Sequence, residues 1–252
     1  IYPAEIKTGL INFEMTGVTT QTDYATKDEM KKFLLSKGYL HTGLKDAALL
    51  LTDSHSSPSS KMAEAKKKGI KVTTEVTPHH FTLTDDAVKT YDTNMKMNPP
   101  LRTQEDIDAI IKGLKDGTID CIASDHAPHS LEEKESEFQF APNGIVGFET
   151  TVGLPISELI HKNKLSIEEL IKKLSINPRK ILNLPVPKFE VGALANFTII
   201  DPNLVWTVDI SKFKSKSKNS PFNKKLLTGK ALAVVNRKKM FFDDHWIDLS
   251  GA

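Results

Sequence analysis

The chain has 252 residues, enough for one large α/β domain or a domain with a small appendage. Its 39% hydrophobic and 26% charged content are those of a globular protein, and a net charge of +2 argues against a dedicated nucleic-acid binder. No segment approaches a transmembrane helix, no charged-then-apolar leader opens the chain, and the single Cys121 excludes an internal disulfide. A cytoplasmic enzyme with a small-molecule substrate, and no nucleic-acid or membrane partner, is the expectation. The start at Ile1-Tyr2-Pro3, without Met, fits a fragment or a processed chain.

In chain order, Ile6, Leu10, Ile11 and Met15 have helical spacing, and Val18 to Asp23 reads as a short strand ending in Asp23. Lys27 to Leu35 reads as a helix stopped by Gly38. The apolar run Ala47 to Leu51 reads as a strand and exits into Thr52-Asp53-Ser54-His55. A helix from Ser59 to Lys68 leads to a second strand, Ile70 to Val76, which exits into Thr77-Pro78-His79-His80. This βαβ spacing predicts parallel neighbours. Asn98-Pro99-Pro100 is a rigid loop suited to holding one side chain in place. Thr103 and Asp106 form a capping box for a helix whose stripe is Ile107, Ile110, Ile111 and Leu114. Gly117 ends it.

Ile119 to Ala123 is an apolar run that fits a buried strand, with Asp125, His126 and His129 at its exit. A parallel α/β barrel places its chemistry at such strand exits. Cys121 lies within the run and reads as core, not nucleophile. Ser130 to Phe140 reads as a surface loop or lid, and Gly144 and Gly147 let backbone approach a ligand. Phe148 to Lys162 and Ser166 to Leu174 read as helices, the second with Ser166 and Glu169 as its capping pair. Pro185 and Pro187 mark a boundary. Short β-like runs follow: Asn196 to Ile200, Val205 to Val208, Lys230 to Val235 and Met240 to Phe242. The expected organisation is a partial TIM-type β/α barrel over residues 1–184 and a small β-sandwich-like module over residues 185–252. Ser211 to Lys218 reads as a solvated connection.

His and Asp at the exits of several strands are the ligand types of a hydrolytic zinc site, which keeps a position open for water. Asp125 is the candidate for the carboxylate that moves the proton, and His55 is a candidate ligand. Adjacent His79 and His80 cannot both point into one site from a strand. His41, His161 and His245 read as surface residues.

Four segments carry a resemblance: Glu75 to His80, Lys96 to Arg102, Ser124 to His129, and Gly144 to Thr150. In this order they closely resemble the dihydroorotase family, of the bacterial-type branch of the metal-dependent amidohydrolase superfamily. The match extends from about His55 to Met240 and includes Lys218-Asn219-Ser220-Pro221-Phe222. His129 favours that family over allantoinase or dihydropyrimidinase. The resemblance implies reversible closure of N-carbamoyl-L-aspartate to dihydroorotate in pyrimidine synthesis, with one or two zinc ions and a homo-oligomeric enzyme. It implies that Asp125 is the metal-site carboxylate and general acid/base, and that His55 is a metal ligand. By the same resemblance Asn98 and His129 bind substrate, and the Asn143 and Gly144 backbone touches the substrate ring.

The sequence departs from the family in its first third. No His-x-His pair occurs, and neither does a second ligand histidine in a His-Cys-Glu-Asp-like turn before His55. The barrel portion, about 185 residues, is short of the roughly 250 of eight βα units. Tyr2 to Asp23 resembles the family segment ending in the metal-bridging Asp, which makes Asp23 a ligand. Glu5 to Thr20 equally resembles the segment just after His-x-His, which leaves Asp23 without a metal role. Three readings therefore stand: an incompletely recorded zinc dihydroorotase, an inactive scaffold partner of aspartate transcarbamoylase, and a related cyclic amidase.

Overall fold

The computed structural model describes residues 12–16, 40–41, 49–52 and 73–250, which fall into two units divided between Thr74 and Glu75. In the first unit, β1 (Asn12–Thr16), β2 (Leu40–His41) and β3 (Leu49–Thr52) form a parallel sheet in the order β2-β1-β3. The apolar run ending at Leu51 is thus a strand, as its composition predicts. The helical spacing ending at Met15 is not kept, because β1 occupies that stretch. Parallel pairing along both edges, Phe13↔His41 on one side and Phe13↔Leu49 on the other, overrides a local pattern carried by only four residues. The expected strand at Val18 to Asp23 and the helices at Lys27 to Leu35 and Ser59 to Lys68 lie outside the described residues.

In the second unit, β4 (Glu75–Val76) pairs in parallel with β5 (Cys121–Ile122) through Glu75↔Cys121 and Val76↔Ile122. The connection passes through α1 (Gln104–Asp116). Thr103 accepts from the Asp106 amide, and the Asp106 carboxylate accepts from the Thr103 amide, so the expected capping box is formed. Gly117 ends α1 at φ 84°, a left-handed conformation that suits glycine. The apolar stripe buries Ile107 and Leu114 against Val76, Phe81, Ile122, Ile156, Leu159, Leu165 and Leu170. Each such side chain contributes about 1.5–3 kcal/mol by leaving water.

After β5 come α2 (Leu131–Lys134) and α3 (Gly153–Pro155), the latter continued by a π-helical turn over Ile156–Ile160. The expected Ser166–Glu169 capping box starts α4 (Ile167–Ile171), and α5 (Asn177–Ile181) closes the helical part. Four antiparallel strands follow in sequential order: β6 (Asn196–Thr207), β7 (Leu226–Asn236), β8 (Lys239–Phe242) and β9 (His245–Asp248). Two runs expected as separate strands are one, β6, with register shifts between Ile199 and Ile200 and between Asp201 and Val205. Asp243 and Asp244, both at positive φ, make the tight β8–β9 turn. Among the described residues no helix is long and apolar enough to cross a membrane.

A second core joins this sheet to the loops before it. Met97, Leu101, Ile145, Val146 and Leu154 pack with Val208, Phe213, Phe222 and Leu227. The expected solvated connection over Ser211 to Lys218 is therefore partly anchored: Phe213 is buried in that core, and the Ser215 amide donates to Glu149 Oε1 at 2.8 Å. At the sheet–helix contact, Gly229 has φ +95°, and a Cβ there would lie 2.3 Å from Ile156 Cγ2. Gly229→Ala is expected to lower the unfolding free energy in urea by about 2–4 kcal/mol. An unchanged urea midpoint would contradict this packing.

Candidate functional site

The site is assembled from the exits of β4 and β5 and two loops. The Ala123 amide donates to the Val76 carbonyl at 3.0 Å, which continues the β4–β5 pairing to the start of the Ser124-Asp125-His126 exit. Two residues on, the chain switches partner: His126 bridges Ile145 in parallel, and the Ala127 amide donates to the Ile145 carbonyl at 2.8 Å. Asp125 sits at this change of direction with φ 46°, a left-handed conformation that Asp tolerates better than most residues. Burial holds its carboxyl above the usual carboxylate range. Glu75 is raised by burial first and then by the charge of Asp125, so the two carboxylates at the β4 and β5 exits interact, Asp125 half-buried and Glu75 retaining solvent exposure.

Asp125 makes no hydrogen bond with the described residues. A half-buried carboxylate with no donor against it among the described residues, beside a second carboxylate, fits a cation ligand. It is one ligand, however. Among the described residues no group of three or more His, Cys, Asp or Glu is placed to hold a metal ion. The other ligand candidates, His55 and Asp23, lie outside the described residues.

At the β4 exit, Thr77 Oγ1 lies 2.8 Å from His79 Nε2 and 2.6 Å from His80 Nδ1, and His80 Nε2 lies 2.7 Å from the Pro99 carbonyl oxygen. A carbonyl only accepts, so His80 Nε2 carries the proton and Nδ1 accepts from the Thr77 hydroxyl. That hydroxyl in turn accepts from His79 Nε2–H. The relay requires neutral rings. Burial lowers both imidazoles below their ordinary value; for His79 the neighbouring His80 lowers it further, while for His80 the Pro99 bond partly offsets the effect. His80 thus ties the β4 exit to the loop that carries Asn98, and His79 is bonded within the exit through Thr77.

At the β5 exit, His129 Nε2 donates to the Asn143 carbonyl at 2.9 Å, and its Nδ1 lies 3.8 Å from the Glu133 carboxylate. Gly144 follows at φ +98°, where a Cβ would lie 2.7 Å from Ala127 Cβ. Its amide donates to the Lys96 carbonyl at 2.8 Å. Its carbonyl accepts from Lys134 Nζ at 3.2 Å and from Asn219 Nδ2 at 3.3 Å. Asn219 Oδ1 also accepts from the His129 amide at 3.2 Å, and its Nδ2 donates to the Ala127 carbonyl at 2.9 Å. His126, which the sequence leaves without a role, stacks on Phe148 at 3.8 Å and accepts at Nδ1 from the Gly147 and Phe148 amides.

The sequence candidates Asn98, Asp125, His129, Asn143 and Gly144 therefore fall on loops that hydrogen bonds join. His129 meets Asn143 directly, and the Asn98 loop reaches Gly144 through Lys96. Lys134 and Asn219 were not singled out. Asn219 lies in a tail segment already recognised by resemblance, whereas a Lys in Leu-Glu-Glu-Lys reads as solvated. Ser130 to Phe140, expected as a surface loop or lid, instead opens with α2, which a Ser130–Glu133 capping box starts.

The amidohydrolase family model matches residues 16–235, and the chain belongs to the amidohydrolase family. Within it the similarity is to dihydroorotases. The chain is 55% identical over 165 residues to the dihydroorotase of Ruminiclostridium cellulolyticum, covering 66% of this chain and 39% of that protein. It is 42% identical over 212 residues to that of Syntrophus aciditrophicus, covering 84% and 50%. The chain thus spans half or less of the length of these relatives. Among solved structures it resembles the L-hydantoinase (dihydropyrimidinase) of Arthrobacter aurescens, with a TM-score of 0.70 at 26% identity, covering 86% of this chain and 48% of that one. The inactive dihydroorotase-like domain of the Chaetomium thermophilum CAD-like multifunctional protein shares the fold, with a TM-score of 0.53 at 18% identity over 89% of this chain and 64% of that one. The fold is the TIM-barrel-like one of metal-dependent amidohydrolases.

Cys121 is buried in β5, and burial pushes its thiol up to about 11, with Glu75 and Asp120 adding to the rise. Iodoacetamide at pH 8 is expected to label Cys121 at least about a hundredfold more slowly in the native chain than in urea. Equal rates would contradict its core placement.

Proposed function

We propose that this chain carries the substrate-recognition side of a zinc dihydroorotase, interconverting dihydroorotate and N-carbamoyl-L-aspartate. The observation that carries the reading is the joining of His129 to the Asn143–Gly144 backbone beside the half-buried Asp125. Residues 1–184 form the barrel portion in this reading and residues 185–252 the β module. Parallel pairing up to Ile122 and antiparallel pairing from Asn196 support that division. A single cysteine, Cys121, which leaves no internal disulfide in this sequence, supports a reducing compartment, the cytoplasm.

Asp125, with His55 and in one alignment Asp23, would hold the metal. A zinc ion, when bound, polarises the scissile carbonyl and acidifies water. Asp125 takes the proton of the attacking water and returns it to the leaving ring nitrogen as the ring C–N bond breaks. The Asn98 amide and the Asn143 backbone pair with the ring edge, while Gly144, whose amide and carbonyl are already bonded to Lys96, Lys134 and Asn219, lets the backbone come close to it. The substrate carboxylate competes with Glu133 for the Nδ1 side of His129, at the end of the ring not used by Asn143.

The test is elemental analysis for zinc and a dihydroorotate hydrolysis assay on the full chain. Stoichiometric zinc and turnover are expected, with kcat falling about 10²–10⁴-fold in Asp125→Ala. His129→Ala is expected to raise KM more than it lowers kcat. A folded chain with neither zinc nor turnover would reject this reading in favour of the inactive scaffold for aspartate transcarbamoylase. Turnover of another cyclic amide alone would assign the chain to a related amidase.

A further inference from the structure

Lys134 is 5% exposed, yet among the described residues no carboxylate forms an ion pair with its ammonium. Its Nζ instead donates to three backbone carbonyls, of Thr93 at 2.7 Å, Pro142 at 3.0 Å and Gly144 at 3.2 Å. An ammonium has three N–H donors and no acceptor, so this cage uses all of its hydrogen-bonding capacity. The acceptors are not scattered. Pro142 and Gly144 flank Asn143, whose carbonyl accepts from His129 Nε2. Thr93 belongs to the segment that leads into the Asn98 loop, and its hydroxyl donates back to the Lys134 carbonyl. The helix that carries Lys134, four residues long, begins two residues after His129. A helix that short has no stability of its own, so its inward-turned last residue holds it as much as it holds the loops.

The groups facing Lys134 explain why the cage is sensitive to change. Burial lowers its ammonium to about 8; Asp92 raises it and Lys96 lowers it. Lys96 is engaged in parallel work, donating from Nζ to the Gln139 and Ala141 carbonyls. From the opposite side Asn219 grips the same Gly144 carbonyl. Removing the ammonium takes one donor from each of three carbonyls: Thr93 keeps the Lys96 amide and Gly144 keeps Asn219, while Pro142, which adjoins the residue that His129 touches, loses the donor it has here.

We propose that Lys134 is a positioning residue for substrate recognition, clamping the Asn143–Gly144 backbone in the place where it meets the substrate ring and joining it to the Asn98 loop. This rests on the dihydroorotase reading. Lys134 touches no reacting atom in that reading, so its removal acts on binding more than on the chemical step.

The experiment is steady-state kinetics of dihydroorotate hydrolysis, with far-ultraviolet circular dichroism to confirm folding, on the full chain and on Lys134→Met, Lys134→Gln and Lys162→Met. The last alters an exposed lysine on Glu158, away from these loops. Lys134→Met is expected to raise KM about tenfold while kcat changes less than about threefold. Lys134→Gln keeps two donors and is expected to raise KM about threefold. Lys162→Met is expected to change neither constant. If Lys134→Met does not fold, the glutamine variant decides alone. A folded variant with unchanged KM, or with kcat falling while KM holds, overturns the clamp. A wild-type chain without turnover overturns the dihydroorotase reading and this inference with it, an outcome visible before any variant is assayed.

Discussion

The backbone of Gly144 is where the constraints on this site meet. Its carbonyl accepts from Lys134 and Asn219, and its amide donates to the Lys96 carbonyl. Positive φ and the approach of Ala127 leave no room for a side chain there. With both polar groups and its Cα thus determined, the peptide has one position available. The neighbouring Asn143 carbonyl, held by His129, inherits that position. Segments that are distant in sequence, at Lys96, His129, Lys134 and Asn219, become neighbours through this one peptide.

Two kinds of force support it. Beneath the loops, Met97, Ile145 and Val146 are buried against Phe213, Phe222 and Leu227, so β7 and the β6–β7 connection form the floor on which the site loops rest. That contact is non-directional and fixes distance more than orientation. Orientation comes from the polar layer above: the Thr77–His79–His80–Pro99 relay, the Lys134 cage and the Asn219 side chain. Each of these groups is buried and hydrogen-bonded, and each becomes costly when one partner is lost. The carboxylates are treated differently. Asp125 is half-buried and Glu75 lies close enough to be raised by its charge, so the strand exits concentrate negative charge at the candidate site.

Local signals in the sequence were read well. The capping boxes at Thr103 and Ser166, the glycine stop at Gly117, the strand ending at Leu51 and the apolar strand at Cys121 all depend on near neighbours, and the structure forms them. Features decided by distant partners were not readable in the same way. Met15 and its helical spacing gave way to strand pairing on both sides. Lys134 has the composition of an exposed helix face and becomes a buried donor only because the carbonyls of Thr93, Pro142 and Gly144 converge on it. Phe213 lies in a Lys- and Ser-rich stretch and is buried by loops more than 60 positions earlier. For the candidate site, the residues on short motifs are legible in the sequence as candidates, while those that hold the motifs in place, Lys134 and Asn219, become legible only in the fold.

The proposed chemistry follows the same division: in it Asp125 comes from a strand exit, and recognition comes from backbone held from behind. A crystal structure of the full chain with zinc and dihydroorotate bound tests this most directly. The account requires the ring edge to lie within hydrogen-bonding distance of the Asn143–Gly144 backbone, with Lys134 still caged behind it and the substrate carboxylate beside His129. A ring bound elsewhere, or a Gly144 peptide that turns away from it, would contradict the account.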